Sequence, residues 1–555
     1  MCIIGAGAAG IAMSLEFLNT SHDVTLVESG GLERDEFTQQ LYSGESVGLP
    51  YARLDECRSR FFGGSTNCWL GWCRPLDQID FEPRPWMSSD GWPIRRDDLL
   101  GSYERAQSLL ELGPFDYEAA SWRRRYGAEA KFLDYDQSII QDGVNQISPP
   151  SRFGPRFRAD LRAARNVRTL LHASVTELVV NSSGNAVERV NVSSPNGARF
   201  VILPKLVVLA TGGIENARLL LVSRRHHAAG LGNAHDLVGR YFMDHPRVRS
   251  IRAVLAARGA RRLYDHSLAL VRQRLGLGRR AVTLHFSPTE RQQRDLALPN
   301  SRTYFVAASF NSLSALRGSL KCLTKRGRDP GIPGARYGRF DRLWQVAKAI
   351  PRGAAAGLDF LLPLEGIDRE FYLETVFEPV PNRDSRITLT SEKDQLGMNK
   401  VRLDWRLSEA DRTNYLRSLK VVVGELAGQG IIIPLDPQSE AERRWPEHVQ
   451  WCWHHVGTTR MAHDPAKGVV DENCRVHGTE NLFVVGSSVF PTPGSDTPTL
   501  TVVALALRLA SHLKSVFAGL ELAANVSSIT SGGLTDHVRT NRRLRDADNP
   551  PLASL

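Results

Sequence analysis

Cysteine is scarce in this sequence, and its arrangement excludes two common frameworks. The seven residues (Cys2, Cys57, Cys68, Cys73, Cys322, Cys452, Cys474) are odd in number and contain no Cys-x-x-Cys pair. Neither a zinc site nor a disulfide scaffold fits that spacing, so a reducing compartment, and with it a cytoplasmic location, is the expectation. No apolar run reaches the roughly 18 residues of a membrane-spanning helix. The opening Met1-Cys2-Ile3-Ile4-Gly5 lacks the charged, then apolar, then small layout of a secretory signal. It reads as a strand already under way. Because about four residues make a short strand, the natural start is expected a few residues upstream. Internal repeats are lacking too.

What is present fits a two-unit globular protein. The chain has 555 residues, 42% hydrophobic and 23% charged, so two large units with a substantial core are expected. A formal net charge of +10 favours anionic neighbours. The basic residues are widely spread, however, and a solvated surface is the simpler reading; nucleic acid is not an expected partner.

Residues 2–31 read as strand, glycine turn, helix and strand. An apolar run, Cys2-Ile3-Ile4, precedes the turn Gly5-Ala6-Gly7-Ala8-Ala9-Gly10; helical spacing follows from Ile11 to Leu18, then the apolar strand Val24-Thr25-Leu26-Val27. Residues 55–110 are rich in loops and show no long periodic segment. From Val167 short β runs take over and lead into Val207-Val208-Leu209, with a helix expected from Glu215 to Val222. A region of different texture spans 248–440. It contains a basic stretch from Arg317 to Arg342, an apolar one from Leu343 to Leu362, and strands at Tyr372–Phe377 and Ser385–Thr390. The apolar stretch is broken by Lys348, Arg352 and Asp359, which leaves a buried helix or peripheral membrane contact as its readings. α/β character returns in 441–520, and the polar end, 521–555, is expected to be a disordered tail. The domain reading is thus 1–247 and 441–520 as one nucleotide-binding unit, with 248–440 as a second.

Gly5-x-Gly7-x-x-Gly10 lies between strand and helix, and Glu28 ends the next strand. Such glycines allow a tight turn and close approach of a pyrophosphate, the helix N-terminus offers free N–H groups, and the acid accepts from ribose hydroxyls. Three later features favour FAD over NAD. They are the small-residue loop Gly63-Gly64-Ser65-Thr66-Asn67, the buried strand ending Ala210-Thr211-Gly212-Gly213, and a third buried strand ending Gly486-Ser487-Ser488. A chain that leaves a sheet and returns to it twice suits a discontinuous FAD domain.

Here the sequence resembles the glucose–methanol–choline (GMC) oxidoreductases, in the branch of pyranose oxidases and bacterial sugar and gluconate dehydrogenases. The resemblance rests on ordered blocks: Gly5 to Gly10 with Glu28, Gly63 to Trp69, Arg74-Pro75-Leu76-Asp77, Ala210 to Arg218, Val238 to Pro246, and Pro381 to Arg386. It continues with His454-His455-Val456-Gly457-Thr458-Thr459-Arg460-Met461, Gly486 to Thr492 and Pro498-Thr499-Leu500. Val175 falls where relatives' backbone meets the adenine. The likeness covers about two-thirds of the chain and misses 120–165, 262–365 and the tail. It implies an α/β, Rossmann-like FAD domain built from separated segments, plus an α+β substrate domain with a mainly antiparallel six-stranded sheet.

The implied reaction is oxidation of a CH–OH carbon of a sugar, glycoside or sugar acid. Hydride passes to the flavin and a side chain accepts the hydroxyl proton. Neutral imidazole suits that acceptor, and the resemblance places His454 in the role. Two departures stand out. Relatives carry His or Asn just before Pro-Thr-Leu, whereas this chain has Thr497, with Asp496 beside it. Thr497 as partner, Asp496 reaching in, or neither, all remain open. In some relatives a His in the Gly-Gly loop bonds the flavin; Cys68 stands there, and noncovalent FAD is expected. The residues expected around the cofactor are Gly5, Gly7, Ala8, Gly10, Glu28, Gly63, Gly64, Thr66, Asn67, Cys68, Val175, Ala210, Thr211, Gly212, Gly486, Ser487 and Thr499. Oxygen, a quinone or an electron-transfer protein would reoxidise the flavin. The alternative is an FAD-binding protein with degenerate or lyase-type activity.

Overall fold

Three apolar runs that lie far apart in sequence meet side by side in one parallel sheet. The computed structural model describes all residues except 128–130, 150, 257–260, 268, 270–280, 309–369, 437–444, 447–448 and 532–555. The basic and apolar stretches expected at 317–362 therefore lie outside the described residues. In the parallel sheet the strand order is Leu482–Val484, Val207–Leu209, Cys2–Ile4, Val24–Val27, Val167–Leu170. Cys2 is level with both Val207 and Thr25, and Val207 with Leu482. The three strands Cys2–Ile4, Val207–Leu209 and Leu482–Val484 are buried throughout. This is why they read as continuous apolar runs rather than alternating ones: helices or loops cover both faces of a parallel sheet.

The helices that matter are α1 (Ala8–Leu15), α2 (Leu100–Leu109), α3 (Gly212–Val222), α4 (Glu409–Gly428) and α5 (Thr499–Ser531). α1 packs on the parallel sheet, and α5 packs on α1 and α2. The window Thr499–Ala518 of α5 is long and apolar enough to cross a membrane, yet 61% of it is buried inside the molecule. That is the position of a core helix. α5 continues through Ser531, so the first residues of the expected tail are helical, and 532–555 lie outside the described residues. α2 occupies a stretch expected to lack periodic structure; its buried residues are only Tyr103, Ala106 and Gln107, too sparse a stripe to register as an amphipathic pattern.

Among the described residues the second sheet is wholly antiparallel and has eight strands, not the six expected. Its order is Ile432–Pro434, Pro246–Leu255, Glu370–Phe377, Ser301–Ala307, Ala281–Pro288, Ile140–Ile147, Trp72–Cys73, and Gln450–Trp451 also pairs with Pro246–Leu255. The extra strands come from chain outside 248–440. Ile140–Ile147 pairs with Ala281–Pro288 along its full length because Ile140, Val144 and Ile147 are buried. α4 covers this sheet with the buried stripe Tyr415, Leu419, Val422, Leu426, spaced at one helical face. Its N-terminus is fixed by Ser408 and Asp411 in a reciprocal capping box. Within 248–440, Arg386–Lys393 and Asn399–Trp405 leave this sheet. They pair with each other, Asn399–Trp405 also pairs with Gly44–Gly48, and their Ile387, Val401, Leu403 and Trp405 join the core of the parallel sheet.

Candidate active site

The glycine turn is shaped by close backbone approach. Gly5 has φ +102, and a Cβ on Gly10 would stand 1.9 Å from the Gly5 carbonyl oxygen. Only glycine at 10 lets α1 start directly against the first strand. A Cβ on Gly7 would meet nothing within 4 Å, so the turn is open on the side facing the cavity. Glu28 is buried, its Oε2 accepting from Ala6 N and its Oε1 from Gly30 N, both at 2.9 Å. Burial pushes its pKa up against the pull of those two N–H groups. Beside it, Arg60 donates to Ser29 Oγ (2.8 Å), and Arg58 and Arg60 both hold the buried Glu215.

A cavity of about 920 Å³ runs from this turn to His454. Of the residues read from the sequence, Gly5, Gly7, Ala8, Glu28, Gly64, Thr66, Cys68, Val175, Ala210, Thr211, Gly212, Gly486, Ser487, Thr499, His454 and Thr497 line it. Gly10, Gly63 and Asn67 stand behind the wall. Asn67 Nδ2 donates to the carbonyls of Phe62 and Gly64 at 3.0 Å, which fixes the loop that presents Gly64, Thr66 and Cys68. Asp496 is also off the wall. Its carboxylate is buried, with Arg302 on Oδ1 (3.1 Å), Arg74 on Oδ2 (3.3 Å) and Asn145 on Oδ1 (3.2 Å). Burial alone would raise its pKa, but the guanidinium groups of Arg74 and Arg302 outweigh that and hold it at about 2. Thr497 Oγ1 donates to the Trp72 carbonyl at 2.5 Å.

The return segment is seated on α3. A Cβ on Gly213 would stand 2.2 Å from the His455 carbonyl oxygen, so the His454–His455 backbone approaches the helix start as closely as glycine allows. Ser487 Oγ donates to that same carbonyl at 2.6 Å. Ahead of it, Asp244 accepts from Tyr51 Oη (2.5 Å), Trp453 N (3.0 Å) and His454 N (2.8 Å). Trp453 has φ 61, a left-handed conformation uncommon for a bulky residue. Its indole is 52% exposed, at the cavity mouth. His454 Nδ1 lies 2.9 Å from His245 Nδ1, and His245 Nε2 lies 2.8 Å from the Gly494 carbonyl oxygen. Burial, then the neighbouring His245 and Arg302, push the His454 pKa well below 6.5. His455 is held near 3 by burial, and its Nε2 contacts Cys57 Sγ at 3.7 Å.

Opposite His454 the antiparallel sheet supplies the wall. Arg302, Tyr304 and Val306 alternate along one strand and all face the cavity, as a period of two requires. Tyr304 and Arg249 both sit opposite Glu374 in register; Tyr304 Oη donates to Glu374 Oε1 at 2.7 Å, and Arg249 Nε donates to Oε2. Burial would raise the Glu374 pKa, yet Arg247 and Arg249 lower it, so this row stays ionised. Arg302, Arg247, Tyr304 and Glu374 belong to no motif in the sequence. His245 falls within the block Val238 to Pro246. Alternation in Arg302-Thr303-Tyr304-Phe305-Val306 is the signal available for Arg302 and Tyr304.

Residues 381–506 match the family described as GMC oxidoreductase. Over that segment the chain is similar to the GMC oxidoreductases. Among curated relatives, 6'''-hydroxyparomomycin C oxidase of Streptomyces lividus is 24% identical, covering 92% of this chain and 91% of that one. The 2-methyl-1,2-propanediol dehydrogenase of Mycolicibacterium austroafricanum is 25% identical over 93% of this chain and 95% of its own. Pyridoxine 4-oxidase from Mesorbium loti superposes with TM-score 0.54 at 18% identity, covering 92% of this chain and 98% of that one. A fungal aryl-alcohol oxidase gives TM-score 0.54 at 15% identity over the same shares. These structures share the fold.

GMC oxidoreductases are FAD-binding flavoproteins acting on alcohol groups. The residues here fit that cofactor. The cavity is near the upper end of the volumes usual for cofactor pockets. The turn is open at Gly7, Glu28 is placed to accept at one end, and the small residues Gly64, Gly212 and Gly486 leave room further along.

Proposed function

We propose that this chain is an oxidoreductase of GMC type that oxidises a CH–OH carbon of a sugar, glycoside or sugar acid to the carbonyl, with His454 taking the hydroxyl proton. The observation that carries the reading is a shared cavity: His454 and the glycine turn with Glu28 line the same continuous space. FAD bound there supplies the acceptor for the hydride that leaves the carbon. Burial and nearby positive charge disfavour the protonated form of His454 and hold its pKa well below 6.5. That favours the neutral imidazole, the form able to accept a proton. The relatives named 2-methyl-1,2-propanediol dehydrogenase and fructose dehydrogenase large subunit support an alcohol or sugar substrate.

As the hydroxyl proton leaves, negative charge grows on the substrate oxygen, and a positioned donor stabilises it. The Thr497 hydroxyl already donates to Trp72 O, and Asp496 is an anion tied to two arginines behind the wall. Of the cations lining the cavity, Arg302 bears most strongly on His454, ahead of Arg247. We assign Arg302 the stabilising role. A competing reading, FAD binding without turnover, is favoured by that engagement of Thr497. Anaerobic mixing with a panel of sugars, glycosides, uronic acids and simple alcohols separates the two. Bleaching of the flavin by a panel member is expected, with yellow colour but no bleaching in His454→Ala. A wild-type flavin that stays oxidised throughout favours the competing reading, and bleaching in His454→Ala removes the base assignment.

A further inference from the structure

His245 and His454 meet through like nitrogens, and that contact determines where the protons lie. A carbonyl oxygen only accepts, so the 2.8 Å contact of His245 Nε2 with Gly494 O requires hydrogen on Nε2. Neutral imidazole carries one N–H, which leaves His245 Nδ1 as a bare acceptor. Its partner at 2.9 Å, His454 Nδ1, must then be the donor. A neutral His454 protonated on Nδ1 has its only lone pair on Nε2.

We propose that His245 is a positioning residue: by accepting the Nδ1–H of His454 it holds that imidazole in the tautomer whose Nε2 is basic. The proposal rests on the reading of His454 as proton acceptor. It requires His245 to be uncharged, since an imidazolium there would donate from Nδ1 and reverse the assignment. The groups bearing on His245 are Arg302, which repels a second proton, Asp496, which attracts one, and the Gly494 and Pro493 carbonyls, which favour one. Burial comes first among these influences, and the balance sets the His245 pKa at about 4. During turnover the substrate hydroxyl proton moves to His454 Nε2 as the C–H bond breaks and its electron pair leaves with the hydride. His454 becomes imidazolium while its Nδ1–H stays on His245, so no second proton has to move. His245 immediately precedes the strand Pro246–Leu255, which pairs with Gln450–Trp451 just ahead of His454; the tautomer is thereby set from the neighbouring strand, behind the cavity wall.

Two substitutions divide the functions of the His245 ring. In His245→Asn the amide oxygen reaches the place of Nδ1 and still accepts from His454. In His245→Gln the amide reaches Gly494 O, as Nε2 does, and leaves the Nδ1 place empty. Flavin reduction measured anaerobically in the FAD-loaded enzyme is expected to stay within about tenfold of wild type for His245→Asn. It should fall by about 100-fold or more for His245→Gln, the scale of a misplaced general base. Equal rates in the two variants, fast or slow, overturn the proposal. Independently of any variant's folding, ¹⁵N-histidine NMR of the wild-type holoenzyme reads the tautomer directly. A His454 signal from the Nδ1–H form is expected, and the Nε2–H form overturns the proposal. Bleaching that survives in His454→Ala would retire the base reading while leaving the NMR result standing, so the two failures are distinct.

Discussion

Arg302 bridges two environments on the strand Ser301–Ala307. One face of its guanidinium is held by Asp496 at 3.1 Å, and the residue also lines the cavity beside His454. Replacing it with Ala should lower the anaerobic flavin-reduction rate by about 100-fold, the usual loss for one donor at a developing oxyanion. Added guanidinium should restore part of that rate, and a rate unchanged from wild type would remove Arg302 from the chemistry. Asp496 then acts by anchoring Arg302, a role invisible from its place before Pro498 because its partner lies 194 residues away. His454 was legible because a dense motif surrounds it. Arg302 and His245 were not, because a buried cation or an imidazole pair has no local pattern when the partners lie about 200 residues apart.

At the scale of elements, the turn after the first strand is the most demanding joint. A Cβ at position 10 would overlap the Gly5 carbonyl at 1.9 Å. Gly10→Ala must therefore push α1 away from the strand, at about 1–3 kcal/mol for such overpacking. Purified Gly10→Ala is expected to carry less flavin per chain, read from the visible-to-ultraviolet absorbance ratio; full occupancy would show that the turn yields. Strands buried on both faces, such as Val207–Leu209 and Leu482–Val484, announced themselves as apolar runs, and so did the turns after them. Ile140–Ile147 did not. Its sequence, Ile-Gln-Asp-Gly-Val-Asn-Gln-Ile, is half polar, yet five of its last five residues are buried because Asn145 and Gln146 spend their amides on internal partners. Hydrophobicity cannot report a strand whose polar groups are satisfied inside.

For the whole molecule, a cofactor held between two sheets stabilises the folded state by mass action. Noncovalent FAD is the expectation, since Cys68 Sγ contacts Ser59 Oγ and the Ser65 carbonyl, both at 3.4 Å. Acid precipitation should leave the yellow colour in the supernatant; colour in the pellet would show a covalent link. Protein freed of FAD should melt at a lower temperature, and FAD at 100 times its Kd should return about 2.7 kcal/mol of stability. A melting curve indifferent to FAD would contradict binding in this cavity. The segment 248–440 marked the second unit in the sequence by its texture, but its edges blurred because residues 72–73 and 140–147 cross into its sheet.

That interleaving has a consequence for anyone wishing to change what this enzyme acts on. The wall opposite His454 cannot be transplanted from a relative as one contiguous cassette. Ile140–Ile147 and Trp72–Cys73 must travel with it, or the recipient exposes an unpaired sheet edge along Ala281–Pro288. Trp72 also brings the carbonyl that receives the Thr497 hydroxyl. A graft that respects the chain order but ignores the weave would therefore disturb the reaction chamber from the side left untouched.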